Sequence, residues 1–68
     1  MAEFQIELSE REARDMRTAL SIRLVGMREE LVHTDDREYR ADLKAAIERL
    51  EAVLRRLEAM LAGPKPTT

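Results

Sequence analysis

Thr34-Asp35-Asp36 is the stretch that decides the fold, because it separates two long segments with helical hydrophobic periodicity. All three residue types favour caps and turns, since their side chains hydrogen-bond to nearby backbone groups. Asp35 and Glu38 have the spacing of a capping box, and Thr34 is the alternative cap. The chain is therefore predicted to turn at residues 34–36 and to continue as a second helix, rather than to form one continuous helix.

The segment before the turn is predicted to be a helix over about residues 9–33. Ser9 and Glu12 have capping-box spacing at its start. Apolar residues then recur every three or four positions along one stripe, at Ala13, Met16, Leu20, Leu24, Met27 and Leu31. A second set lies on nearly the opposite side of the helix and comprises Thr18, Ile22, Val25 and Val32. A hairpin partner covers only one side, so this second face is predicted to contact another subunit.

The segment after the turn is predicted to be a helix over about residues 36–62. It carries three apolar positions per heptad, at Tyr39, Leu43, Ala46, Ile47, Leu50, Val53, Leu54, Leu57, Met60 and Leu61. A stripe this broad suits a four-helix bundle better than the narrower seam of a simple coiled coil. Glu51 and Arg55 have the i,i+4 spacing of a helical ion pair. Gly63 and Pro64 are expected to end the helix, leaving residues 63–68 as a disordered tail.

The length of the chain indicates that it needs a partner. Sixty-eight residues form at most one domain and bury too little surface to be comfortably stable alone. The sequence contains no cysteine and no Cys/His set, so a disulfide or a structural zinc cannot compensate. The predicted fold is all-α: a two-helix antiparallel hairpin, preceded by a short extended segment at residues 1–8, that self-associates into a four-helix bundle. The predicted homo-oligomer, a dimer or tetramer, has an interface formed by Leu20, Ile22, Leu24, Val25, Met27, Leu31, Val32, Leu50, Val53, Leu54 and Leu57.

The charge pattern argues against a polyanion or a membrane as partner. Twelve basic and fourteen acidic residues are interspersed along the chain and give a net charge of −2, as on a solvated helix surface. The least charged stretch, residues 18–27, is too short to cross a bilayer, which takes about 20 apolar residues. The first residues lack the basic region and apolar run of a signal peptide, so a cytoplasmic location is expected.

No group of residues predicts a reaction or a cofactor. Ser9 and Ser21 share a single histidine, His33, without a glycine-rich oxyanion context, and the two glycines cannot form a phosphate-binding loop. His33, Asp35 and Asp36, with Glu38, are the one cluster of metal-ligand types. The preferred interpretation is that His33 caps the first helix while the aspartates cap the second. The sequence therefore predicts a non-enzymatic protein with no catalytic, cofactor-binding or metal-binding residues.

Residues 3–8 carry the sharpest alternative. Phe4-Gln5-Ile6-Glu7-Leu8 alternates apolar and polar residues as a half-buried strand does, and two helices follow it. This order is similar to that of ribbon-helix-helix regulators and antitoxins, whose paired strands enter the DNA major groove. The outward residues would be Glu3, Gln5 and Glu7, however, and phosphates repel the glutamates. We therefore expect Phe4 and Ile6 to fold back onto the end of the bundle instead.

Two stretches of the chain carry a resemblance to a known group. Thr34-Asp35-Asp36-Arg37-Glu38-Tyr39-Arg40, followed by Leu43-Lys44 and preceded by Ile6-Glu7-Leu8-Ser9-Glu10, resembles a family of short uncharacterised bacterial proteins built as helical hairpins. The resemblance covers nearly the whole chain and implies neither an activity nor a ligand. Residue patterns alone thus favour an interaction or scaffold module, and they do not identify a partner protein.

Overall fold

The computed structural model describes residues 2–63, which form two helices packed against each other. Helix α1 spans Glu10–His33 and helix α2 spans Arg37–Ala62. Residues 34–36 connect them, and residues 2–9 lie in neither helix nor strand. The all-α hairpin predicted from the sequence is confirmed. Apart from Gly63, the predicted disordered tail lies outside the described residues.

The capping box predicted at the start of α1 is present. The Ser9 hydroxyl accepts a hydrogen bond from the Glu12 N–H at 3.1 Å, and the Glu12 carboxylate accepts one from the Ser9 N–H at 2.9 Å. These two bonds satisfy backbone donors that have no partner within the helix. Helix α1 therefore begins at the position that the capping-box spacing of residues 9–12 predicts.

The cap of α2 differs from the prediction. Asp36 is the capping residue, and its carboxylate accepts hydrogen bonds from the N–H groups of Glu38 and Tyr39 at 2.9 and 3.1 Å. Prediction of Asp35 or Thr34 as the cap was wrong, because only Asp36 directly precedes the first helical residue and reaches the next free N–H groups. Thr34 instead ends α1, donating its hydroxyl hydrogen to the Glu30 carbonyl at 2.6 Å.

Arg40 ties the start of α2 to the end of α1. Its guanidinium donates hydrogen bonds to the carbonyl of Leu31 and, at 3.0 Å, to the carbonyl of Thr34. These carbonyls belong to the last turn of α1 and its cap, where no intrahelical donor remains. His33 was expected to cap this helix end. The described hydrogen bonds there come from Thr34 and Arg40 instead, and His33 is exposed.

The core of the hairpin is small and lies toward the turn. Leu24 and Met27 from α1 pack with Leu43 and Ile47 from α2. Because the helices run antiparallel and Arg40 reaches Leu31 near the turn, Leu24 lies at about the height of Ile47, and Met27 at about the height of Leu43. Half-buried residues packed around this cluster are Leu31, Ala46, Leu50 and Leu54. Ala13 and Leu57 are buried nearer the open end of the hairpin, the end away from the turn.

One side of the hairpin is closed by an ion pair between the helices. Arg28 of α1 and Glu51 of α2 approach to 2.5 Å. The sequence predicted that Glu51 pairs with Arg55 on its own helix, but the described ion pair of Glu51 reaches across to α1. Glu51 is half-buried because it faces the other helix, and that position brings it within reach of Arg28.

Gly63 ends α2 in a backbone conformation that favours glycine. Its φ is 67°, in the left-handed region, and its N–H donates to the Ala59 carbonyl at 3.2 Å. Neither described helix contains an apolar stretch long enough to cross a membrane.

Candidate interaction surfaces

The structure divides the predicted interface residues into three groups. Three are already buried within one hairpin, namely Leu24, Met27 and Leu57. Four are half-buried at the edges of the core, namely Leu20, Leu31, Leu50 and Leu54. Four are exposed, namely Ile22, Val25, Val32 and Val53. The first group stabilises the hairpin itself, so the second and third groups are the ones free to contact another molecule.

An apolar groove opens between the helices at the open end of the hairpin. It has a volume of about 350 Å³. The residues that line it include Ile6, Leu8, Ala13, Met16, Val53, Arg56, Leu57, Met60 and Leu61. Met16, Val53 and Met60 are exposed here although each is a large apolar residue. We call this feature the end groove.

The end groove continues along one broad side of the hairpin, which we call the groove face. Heptad steps from Met16 lead to Arg23 and Glu30 on α1, and heptad steps back from Arg56 lead to Arg49 and Asp42 on α2. The full groove face comprises Met16, Leu20, Arg23 and Glu30 on α1 with Asp42, Ala46, Arg49, Val53, Arg56 and Met60 on α2. Its apolar residues are exposed or half-buried, and charged residues border them.

Tyr39 lies on α2 one heptad before Ala46. Its contact with Glu30 of α1 supports placing these sides of the two helices on one face of the hairpin. Its hydroxyl donates a hydrogen bond to the Glu30 carboxylate. That hydrogen bond, with desolvation and the nearby negative charge, raises the pKa of Tyr39 above its ordinary value, and the positive charge of Arg23 acts against the rise. Arg23, Glu30 and Tyr39 therefore lie close together on the groove face.

The second face predicted for α1 is exposed in the hairpin. Ile22, Val25 and Val32 are all well exposed, and we call them the back face. Gly26 lies near them, and a Cβ placed there would meet no atom within 4 Å. Gly26 is therefore not a point of close approach between α1 and α2.

The N-terminal segment does not fold back as expected. Phe4 is 91% exposed and Ile6 is 81% exposed, although Ile6 borders the end groove. Leu8 alone is half-buried, at the wall of the groove. No strand occurs within residues 2–63, and the acidic side chains of Glu3 and Glu7 are exposed. Nothing in this placement favours the DNA-binding alternative.

The turn does not assemble a cluster of ligands. Asp36 uses its carboxylate to cap α2, and the neighbouring Thr34 hydroxyl is committed to the Glu30 carbonyl. Within the described part of the chain, no three His, Cys, Asp or Glu side chains come together as metal ligands would. The local geometry at the turn is fully accounted for by helix capping.

Comparison of the chain with protein-family models, curated proteins and solved structures finds no match. The resemblance to bacterial helical-hairpin proteins stays a prediction. The groove face and the back face are therefore the features of the molecule on which a proposed function depends.

The sequence did not reveal the end groove, although a signal for it exists. Met16 on α1 and Val53 and Met60 on α2 each lie at one edge of their apolar stripes. In an antiparallel hairpin those two edges fall on the same side, which identifies a shared surface. An apolar stripe considered as one unit does not show which of its two edges lies on this shared side.

Proposed function

We propose that this chain is a non-enzymatic interaction or scaffold module that works as a cytoplasmic homo-oligomer, a dimer or tetramer. Two hairpins pair through their groove faces to form a four-helix bundle. The back face of α1 then joins such pairs to each other or to another protein. The bacterial origin implied by the resemblance belongs to the same proposal.

The amount of apolar surface left uncovered by one hairpin supports this proposal most directly. Only six residues are buried, and nine large apolar residues are exposed within residues 2–63. The radius of gyration is 15.0 Å, whereas a compact domain of this length has a value of about 11 Å. An elongated layer of two helices has no second layer to cover its groove face. A second hairpin supplies that layer in a four-helix bundle.

The composition of the groove face also suits another protein better than a small molecule or nucleic acid. Its centre is aliphatic, with Leu20, Ala46 and Val53, and its borders carry both signs of charge. Protein interfaces have this pattern of an apolar centre with a polar rim. A surface for nucleic acid would instead concentrate positive charge.

Light scattering coupled to size exclusion tests the proposal. The wild type is expected to elute as an oligomer. Leu50→Glu should unfold the protein, because Leu50 packs against the core cluster and a buried charge is costly. Val25→Glu should leave folded but smaller particles, because Val25 is 57% exposed in a single hairpin. Lys44→Gln, at an exposed position of α2, lowers the net charge by the same one unit and controls for that change.

Circular dichroism of the same samples separates loss of folding from loss of association. A Val25→Glu protein with full helicity and reduced mass supports association through the back face. A wild type that is monomeric and well folded would contradict the proposal.

A further inference from the structure

Four of the five charged residues of the groove face lie at two heights along the hairpin, and the fifth, Arg56, lies beyond them in the end groove. Arg23 on α1 and Arg49 on α2 are at nearly the same height, as are Leu24 and Ile47 in the core beneath them. Glu30 and Asp42 are also at one height, because each lies one heptad nearer the turn than the arginine of its own helix. One heptad corresponds to about 10 Å along a helix. The groove face thus has a basic level and an acidic level, about 10 Å apart.

This pattern distinguishes the two ways in which identical hairpins can pair face to face. If the two turns point the same way, each α1 lies on the partner's α2 at equal height. Arg23 then faces Arg49 of the partner subunit, and Glu30 faces Asp42 of the partner subunit, so every one of these contacts is repulsive.

If the turns point in opposite directions, α1 lies on the partner's α1 and α2 lies on the partner's α2. A two-fold axis halfway between the two levels then places Arg23 opposite Glu30 of the partner subunit. The same axis places Arg49 opposite Asp42 of the partner subunit. The symmetry repeats each pair, and four attractive contacts replace four repulsive ones.

The residues at the position of this axis permit close packing. The axis passes near Met27, which is buried, and near Ala46, whose small side chain lets two α2 helices approach. On either side lie the half-buried apolar residues Leu20 and Leu50. The overlap is about 28 Å long and two helix diameters, or about 20 Å, wide, so it covers roughly 560 Å² of each hairpin and leaves the end groove outside the contact. This is less than the roughly 800 Å² per partner of a standard interface.

We infer that the groove face binds a second copy of this chain in the antiparallel orientation, with Arg23 and Arg49 paired to the partner subunit's Glu30 and Asp42. The inference rests on the proposed self-association through the groove face and adds the orientation and the contacts. It differs from that proposal in predicting the direction in which single charge reversals change the affinity between the two hairpins.

Charge reversal of Arg49 is the decisive experiment. Sedimentation velocity over a series of concentrations is measured in the Val25→Glu background, so that association through the back face does not contribute. Arg49→Asp should weaken the dimer about tenfold, because two copies of the pair become repulsive. Asp42→Arg should weaken it to a similar extent. The double variant Arg49→Asp with Asp42→Arg should restore the affinity of the parent protein.

Two controls make the result interpretable. Arg55→Asp introduces the same charge change on α2 away from the groove face and should leave the affinity unchanged. Arg49 and Asp42 are both exposed, so circular dichroism should show that all variants keep their helices. The differences in affinity should shrink at high salt, since exposed charges are screened.

The alternative outcomes have distinct meanings. Tighter association of Arg49→Asp would favour the parallel pairing, where Arg49 faces Arg23 of the partner subunit, and would overturn the inference. An unchanged affinity would show that another surface pairs the hairpins, which overturns the inference and the proposed use of the groove face but leaves self-association standing. A monomeric wild type would refute both.

An added cysteine gives an independent reading, because the sequence contains none. Ala46→Cys lies near the predicted axis and should form a disulfide between two copies under mild oxidation. Arg55→Cys should not. An Ala46→Cys oligomer that forms no such disulfide would contradict the antiparallel arrangement.

Discussion

Removal of the Leu24 side chain should test whether the two helices are held together by the small core near the turn. Leu24 is 1% exposed and is the most deeply buried large side chain of the described residues. Leu24→Ala removes its contacts with Met27, Leu43 and Ile47 and leaves a cavity, at a cost of about 3 kcal/mol. A chain of 68 residues has a total stability of roughly 3–10 kcal/mol. The substitution therefore removes a large share of that stability.

Thermal unfolding followed by circular dichroism, at one fixed protein concentration, measures the effect. The melting temperature should fall by about 12–24 °C for a domain of this size. Phe4→Ala is the matched control: Phe4 is a large apolar residue that is 91% exposed and lies on neither proposed interaction surface, so its truncation should cost less than about 1 kcal/mol. If Leu24→Ala costs no more than Phe4→Ala, the core described above does not hold the hairpin together.

Three further substitutions address other features of the hairpin. Gly26→Ala should stabilise the protein by about 0.5–1 kcal/mol in thermal melts, since alanine favours a helix and open space surrounds the position; a loss of stability would place Gly26 in a close contact between subunits. Arg40→Ala should cost about 1 kcal/mol by urea unfolding, because two carbonyls at the end of α1 lose their donor, whereas Arg37→Ala at the neighbouring exposed position should cost little. Tyr39, the single tyrosine, should titrate by ultraviolet absorbance with a pKa above its ordinary value, and Glu30→Gln should lower that pKa. Because the pKa of Tyr39 is raised in the folded state, the stabilising contribution of the neutral phenol is complete below the ordinary pKa. That contribution is lost as pH rises through the folded-state pKa. An unperturbed titration curve would mean that the hydrogen bond to Glu30 does not persist in solution.

Local signals made the two helices and the cap at Ser9 predictable. The capping box needs only Ser9 and Glu12, three positions apart in one chain segment, and it forms as the spacing indicates. The identity of the second cap was harder, because Asp35 and Asp36 are adjacent and chemically identical. Only the position at which α2 begins decides between them, and sequence patterns place helix ends within one or two residues at best.

Contacts between the helices could not be predicted in the same way. Arg40 reaches back to Leu31, and Arg28 reaches Glu51 across the hairpin. These pairs depend on the rotation of one helix relative to the other, which a hydrophobic stripe determines only to within its own width. The sequence predicted Arg55 as the partner of Glu51, because the pattern of a single helix reveals pairs within that helix, such as those at i,i+4 spacing. It does not reveal pairs between helices.

Self-association of the wild-type chain is the central claim, and sedimentation equilibrium tests it most directly. Measured over a range of protein concentrations, the account predicts a mass of two or four times the 7.9 kDa of one chain. Helicity measured on the same samples should match two full helices. A fully helical species that stays at 7.9 kDa at the highest concentration would contradict the claim.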